Sequence, residues 1–289
     1  SGRRQGGAGG GARGARGDVG WGVGGGGEAA SVRRSAAGRG GVVGLMVSGA
    51  RKRASADLPP ARRDVDGAVW IYEVVYGLDV SEDQNQRLVK TMMAVANLYT
   101  DLSLPPEQRD VPGAVALWES VLGMDLPTSE QDYVLRSMMK VANMLTDLRV
   151  PGRDIDVRGA VTIWRAVCDH ARVEEDWHRT IRTMMAMANR LTSPDRQVSM
   201  DDIRAALHLW QAAYALCLER DEEQALRVVR TMMDVANHLT DFSGPVTDLE
   251  LRGAIAIWYG VADCSTLTDD RIRAIRTMMG APPDKGPRR

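Results

Sequence analysis

The most regular chemistry-bearing pattern in the chain is a block that returns four times: TMMAVANLY (91–99), SMMKVANML (137–145), TMMAMANRL (183–191) and TMMDVANHL (231–239). A cation precedes each block (Lys90, Arg136, Arg182, Arg230), and each contains an Asn (Asn97, Asn143, Asn189, Asn237). Arg276 opens a fifth copy that stops after TMM at 277–279. An Asn amide both donates and accepts, so a row of them can clamp an extended peptide backbone whatever its side chains. Guanidinium forks beside them favour carboxylates. At about 100° per residue on a helical wheel, Lys90, Asn97 and Asp101 share one face and Met92, Val95 and Tyr99 the opposite one. The same polar stripe returns as Arg136, Asn143 and Asp147, as Arg182 and Asn189, and as Arg230, Asn237 and Asp241. Neighbouring positions drift: residue 94 is answered by Lys140, Ala186 and Asp234, and residue 98 by Met144, Arg190 and His238. Two readings of the stripe compete. It is a ligand groove, or it is a structural ladder in which each Asn bonds a neighbouring unit's backbone and each cation pairs with a repeat Asp.

Other candidate chemistry is sparse. Cys168 and His170 lie two apart, with His178 nearby, but no further ligands follow at zinc spacing, so no metal is expected. The glycine runs lack the strand–turn–helix setting of a phosphate loop, and no Walker A, GxSxG or HExxH motif occurs. The reading is therefore of a protein that is not an enzyme and needs no cofactor. The Met pairs place their first member on the core face, which makes packing the expectation there.

These residues must be positioned by a repeat. GAVALW (113–118) returns as GAVTIW (159–164), AALHLW (205–210) and GAIAIW (253–258), after an earlier GAVWIY (67–72). Tyr72, Trp118, Trp164, Trp210 and Trp258 are spaced 46, 46, 46 and 48, the last because of a two-residue insertion after Trp210. Each unit reads as two helices. Val134, Met138, Val141 and Leu145 make a helical stripe in one. Asp110, Asp156 and Asp202 stand where an N-cap opens the other, with Pro112 just inside. Ala68, Ala114, Ala160, Ala206 and Ala254 allow close helix approach, and the aromatic series supplies core anchors. Tandem units of this kind form a stacked array.

TMMAVANLYTD (91–101) followed by GAVALW (113–118) resembles tetratricopeptide repeats, most closely the kinesin-light-chain kind. In that likeness Val95 and Ala96 take the Leu-Gly/Ala slot of the first helix and Tyr99 its aromatic slot; Ala114, Leu117 and Trp118 take the second helix's Ala, Leu and Tyr. The connection between the two helices is longer than is usual there, and the His-Pro-Asp turn is missing. The resemblance implies an all-α, right-handed α-solenoid of about five helix–turn–helix repeats. It also implies peptide binding on the surface lined by the first helices, where the Asn after the small residue corresponds to Asn97, Asn143, Asn189 and Asn237.

The overall charge of −1 (37 Lys+Arg, 38 Asp+Glu) averages two unlike parts. Residues 1–63 carry a net +9 and 19 of the 30 glycines fall within the first 50 residues, so this arm is expected to be disordered. The remainder carries −10. The expected domains are the basic arm 1–63, the repeat array 64–279 and a tail 280–289. No apolar run reaches the length of a membrane span. Cys168, Cys217 and Cys264 suggest no disulfide framework, which fits an intracellular and most simply cytoplasmic protein, although the arm also resembles an organelle-targeting segment. The expected function is a scaffold binding a peptide or protein segment, with no small-molecule ligand. The alternative is RNA binding by the Arg/Asn ladder and the basic arm, which an acidic array opposes.

Overall fold

The computed structural model describes residues 40–78, 80–149, 155–240 and 246–264. The chain divides into two compact units, 1–45 and 46–289; of the first, only the helical residues 40–45 are described. All regular structure among the described residues is helical. Residues 40–53 form α1. There follow α2 (Val65–Tyr76), α3 (Glu82–Tyr99), α4 (Val111–Gly123), α5 (Thr128–Leu145), α6 (Val157–His170), α7 (Glu174–Leu191), α8 (Met200–Leu218), α9 (Glu222–Leu239) and α10 (Asp248–Cys264).

The GAVxxW segments lie in α2, α4, α6, α8 and α10, and the MMxxAN segments in α3, α5, α7 and α9. Asp64, Asp110 and Asp156 cap α2, α4 and α6, each accepting from the amide of Gly67, Gly113 or Gly159 at 2.8–3.0 Å. A Cβ on any of these glycines would collide with the capping carboxylate, which is why the motif opens with Gly in α2, α4 and α6; in α10 a Cβ on Gly253 would meet Ile203 instead. Asp202 departs from the expectation that it caps α8. Ser199 is the N-cap, and Asp202 closes a capping box from the third helical position by accepting from the Ser199 amide at 2.9 Å. With no carboxylate over it, the corresponding motif can open with Ala205.

Each MMxxAN helix packs on the GAVxxW helix that follows it, and the GAVxxW helices pack on one another in chain order. Between them lie the expected anchors: Tyr72, Trp118, Trp164 and Trp210 are fully buried, and Trp258 nearly so. Met92, Met138, Met184 and Met232 are fully buried beside them, as are Ala68, Ala114, Ala160 and Ala206. Burying a large aromatic or Met in this way contributes on the order of 1.5–3 kcal/mol per side chain, which repeated over the pairs outweighs anything a surface charge supplies.

Ordered structure begins ahead of the boundary expected at 63. Besides α1, residues Pro60–Arg62 form a 3₁₀ turn that matches Pro106–Gln108 one repeat later. The sequence LPPARRDVDGAV (58–69) is the counterpart of LPPEQRDVPGAV (104–115), and Ala50 is the counterpart of Ala96. Ala50 and Ala54 are fully buried, and Ala54 O accepts from the Tyr99 hydroxyl at 2.8 Å. The Asp64 amide donates to Arg53 O at 3.1 Å, as Asp110 does to Tyr99 O and Asp156 to Leu145 O. Residues 46–62 are thus the start of the repeats, and their small residues pack where the later copies use larger ones. The rest of the expected arm, residues 1–39, and the tail 280–289 lie outside the described residues.

Candidate ligand groove

The helix register places the polar stripe on the surface as the wheel requires. Lys90, Asn97, Arg136, Asn143, Arg182, Asn189, Arg230 and Asn237 are all exposed, while Met92, Val95, Tyr99 and their counterparts Met138 and Leu145 are buried. One turn beyond each Asn the helix is finished by a Thr. The hydroxyls of Thr100, Thr146, Thr192 and Thr240 donate to the carbonyls of Ala96, Ala142, Ala188 and Ala236 at 3.0–3.2 Å. Among the described residues none of the four Asn side chains makes a hydrogen bond. Arg182 pairs with Glu175 at 2.6 Å; Lys90, Arg136 and Arg230 have no ion pair among the described residues. Arg276 and Asp241 lie outside them.

The acidic members of the stripe behave differently from the Asn. Asp101 accepts from the Ser103 amide at 2.8 Å, and Asp147 accepts from the Arg149 amide at 3.0 Å. These carboxylates cap the turn that leaves the helix. The Arg149 guanidinium grips Asp147 with both arms, at 2.9 and 3.0 Å. These bonds, with Arg190 nearby, hold the Asp147 carboxyl down at about 2, so it remains an anion under all ordinary conditions. Asp101 and Asp147 are local fasteners.

Two surface grooves lie along the stripe. One, of about 440 Å³, runs between α3 and α5 and includes Lys90, Met93, Asn97, Glu130 and Tyr133. The other, of about 420 Å³, runs between α5 and α7 and includes Arg136, Lys140, Asn143, Arg149, Arg179 and Thr183. They are the same groove one repeat apart, since Lys90 answers to Arg136, Met93 to Met139, Asn97 to Asn143 and Tyr133 to Arg179. Each brings together a cation and an Asn from one helix and side chains from the next MMxxAN helix. The second Met of the first two pairs does more than pack, because Met93 and Met139 line the grooves. Exposed Tyr133 and Lys140 also belong to them. Sequence reasoning passed over both, although each breaks the repeat pattern at its position.

Chemistry elsewhere is quiet. The Cys168 and Cys217 thiols are pushed up to about 12 and Cys264 to about 11, mainly by burial, so none is a ready nucleophile. Among the described residues no cluster of three His, Cys, Asp or Glu could hold a metal ion. None of the described helices is long and apolar enough to cross a membrane. Comparison of the chain with protein-family models, with curated proteins and with solved structures finds no match.

Proposed function

We propose that this chain is a non-catalytic scaffold of the tetratricopeptide-like kind, a right-handed solenoid that binds a peptide or protein segment along its MMxxAN helices. The observation that carries the reading is the row of four exposed Asn amides, unbonded within the described residues, two of which, Asn97 and Asn143, line grooves. A structural ladder would satisfy those amides internally. A ligand backbone laid across the grooves would satisfy them instead, and the cations beside them would add charge-assisted contacts. Buried free thiols suit a reducing intracellular compartment.

Replacing Asn143 and Asn189 by Ala together tests this. Neither side chain has a partner to lose, so unfolding stability should stay within about 0.5 kcal/mol of the parent. Retention of a degenerate peptide mixture on the immobilised protein should fall sharply. A drop in stability with unchanged retention by the folded fraction would refute the groove and restore the ladder. The RNA reading draws on the cations of the α5–α7 groove; retention that disappears after nuclease treatment would favour it.

A further inference from the structure

The two grooves share a plan but not a charge. The α3–α5 groove is lined by one cation, Lys90, and one carboxylate, Glu130. The α5–α7 groove is lined by four cations, Arg136, Lys140, Arg149 and Arg179, against the single carboxylate of Asp147. Arg179 is also paired with Asp176 on its own helix, so among the described residues two positive charges, those of Arg136 and Lys140, are left over.

The fold does not call for this excess. At the position of Lys140 the other MMxxAN helices carry Ala94, Ala186 and Asp234. Arg179 itself recurs as Arg87 and Arg227, each paired with a carboxylate one turn back on its own helix, while the preceding unit carries Tyr133 there. Arg136 and Lys140 have no ion pair among the described residues. Arg149 and Arg179 keep donors beyond those used on Asp147 and Asp176, because a guanidinium has five. Placing Lys140 beside Arg136 with no counter-charge among the described residues is unfavourable for the free protein, and at the position of Lys140 the repeat itself offers Ala94 and Ala186. The gathering makes sense if a ligand anion completes it.

A carboxylate carries one charge and cannot balance two. A phosphate monoester carries nearly two at neutral pH and offers three acceptor oxygens, a better match to two guanidinium forks, an ammonium and the Asn143 amide. Resting on the peptide reading above, we propose that the α5–α7 groove is the subsite for a phosphorylated Ser or Thr side chain of the bound segment. The α3–α5 groove, with Tyr133, Val89 and Met93 in its lining, takes an uncharged neighbour of that residue.

The test compares retention, on the full chain, of three degenerate peptide mixtures with a fixed central phosphoserine, Ser or Glu. The phosphoserine mixture should be retained about tenfold or more better than the Ser mixture, with Glu a poor substitute. Lys140→Ala and Arg179→Tyr install residues that sibling helices already carry, so folding should survive. Each should cut the phosphoserine preference, read as the ratio of phosphoserine to Ser retention on the same variant, several-fold. The preference should also fade as pH drops through about 6, where the dianion gains a proton; the Glu mixture should not follow that course. Inorganic phosphate should compete weakly with the phosphopeptides.

Equal retention of the Ser and phosphoserine mixtures, or a preference that survives both substitutions, overturns the proposal. If the Ser mixture alone is retained and loses that retention on Asn143→Ala with Asn189→Ala, the peptide groove stands and only the phosphate subsite falls. If no mixture is retained, both fall. A single-stranded RNA probe held more tightly than any peptide and released by Lys140→Ala would reassign the cations to nucleic acid.

Discussion

Arg63 decides how the first helix pair is joined to the rest. Its side chain is 2 % exposed and reaches Asp110, itself 14 % exposed, at 3.5 Å. Its Nε donates to Leu58 O at 2.9 Å and its Nη2 to Ala56 O at 3.2 Å, with Gln108 O at 3.4 Å. The guanidinium lies 4.5 Å from the centre of the Tyr99 ring. One cation thus fastens the α1–α2 connection to the cap of α4 and the end of α3. Replacing it with Ala leaves carbonyls and a mostly buried carboxylate without their partner. Breaking a buried pair from one side costs about 3–5 kcal/mol. Asp110 keeps its bond from Gly113 and some contact with solvent, which puts the expected loss near the lower end, about 3 kcal/mol.

Arg63→Lys separates charge from geometry. The ammonium can remain near Asp110 but cannot hold two carbonyls and stack on Tyr99 together, so the loss should be about 1.5–3 kcal/mol, one charge-assisted bond. With a urea slope of about 2–3 kcal/mol per molar, Arg63→Ala should lower the denaturation midpoint by about 1 M, followed by circular dichroism and Trp fluorescence on the full chain. Repeats couple through nearest neighbours, so the loss should show first as protease cleavage between α1 and α3. A midpoint that moves less than about 0.2 M, with unchanged cleavage there, would refute the clasp. Residues 40–62 would then be an appendage after all.

Two further outcomes follow from the packing. Gly113→Ala should cost about 0.5–2 kcal/mol by displacing the Asp110 cap, whereas Ala205→Gly, in a helix capped from Ser199, should cost only about 1 kcal/mol from backbone entropy and supply no new cap; paired thermal melts read both. His208, with its pKa held below 6.5 by burial and by Arg165 and Arg158, stays neutral in the folded chain while the unfolded chain begins to protonate. Stability should therefore fall as pH drops from about 6.5 toward the lower folded value and then level off, and His208→Thr, the residue at position 162 of the preceding unit, should remove that part of the slope in melts at pH 7.5 and 5.5.

The repeat made much of the fold legible, because a fixed period converts one correctly read helix into several. Trp164 and Met138 follow from spacing alone, as does the exposure of Asn143 once the buried face is known. The start of the array was less legible. α1 keeps the small Ala50 but replaces the signature Asn with Arg51 and the aromatic with Arg53, so a search for the motif passes over it. The linker LPPARRD, unremarkable as a helix, was the surviving evidence, since its Arg63 and Asp64 make the contacts that fix one unit on the next. The cap of α8 was misread for a similar reason: Asp202 keeps its sequence place while the helix starts one turn earlier, turning a cap into the partner of one.

The grooves show the opposite limit. What recurs from unit to unit, the buried Met, the aromatic of the Trp position and, in α2, α4 and α6, the Asp–Gly cap, reports on folding, because every unit must fold. What a single unit carries alone, such as Tyr133 or Lys140, is not demanded by folding and is hidden by any alignment that averages the copies. If the grooves bind a segment as proposed, its specificity would be written in such departures, with the recurring Asn as the backbone grip that they refine. On α5, Tyr133 and Lys140 flank Arg136 on successive turns and Asn143 follows one turn on, so under that proposal α5 is the helix where substitution should change what is bound without changing whether the chain folds.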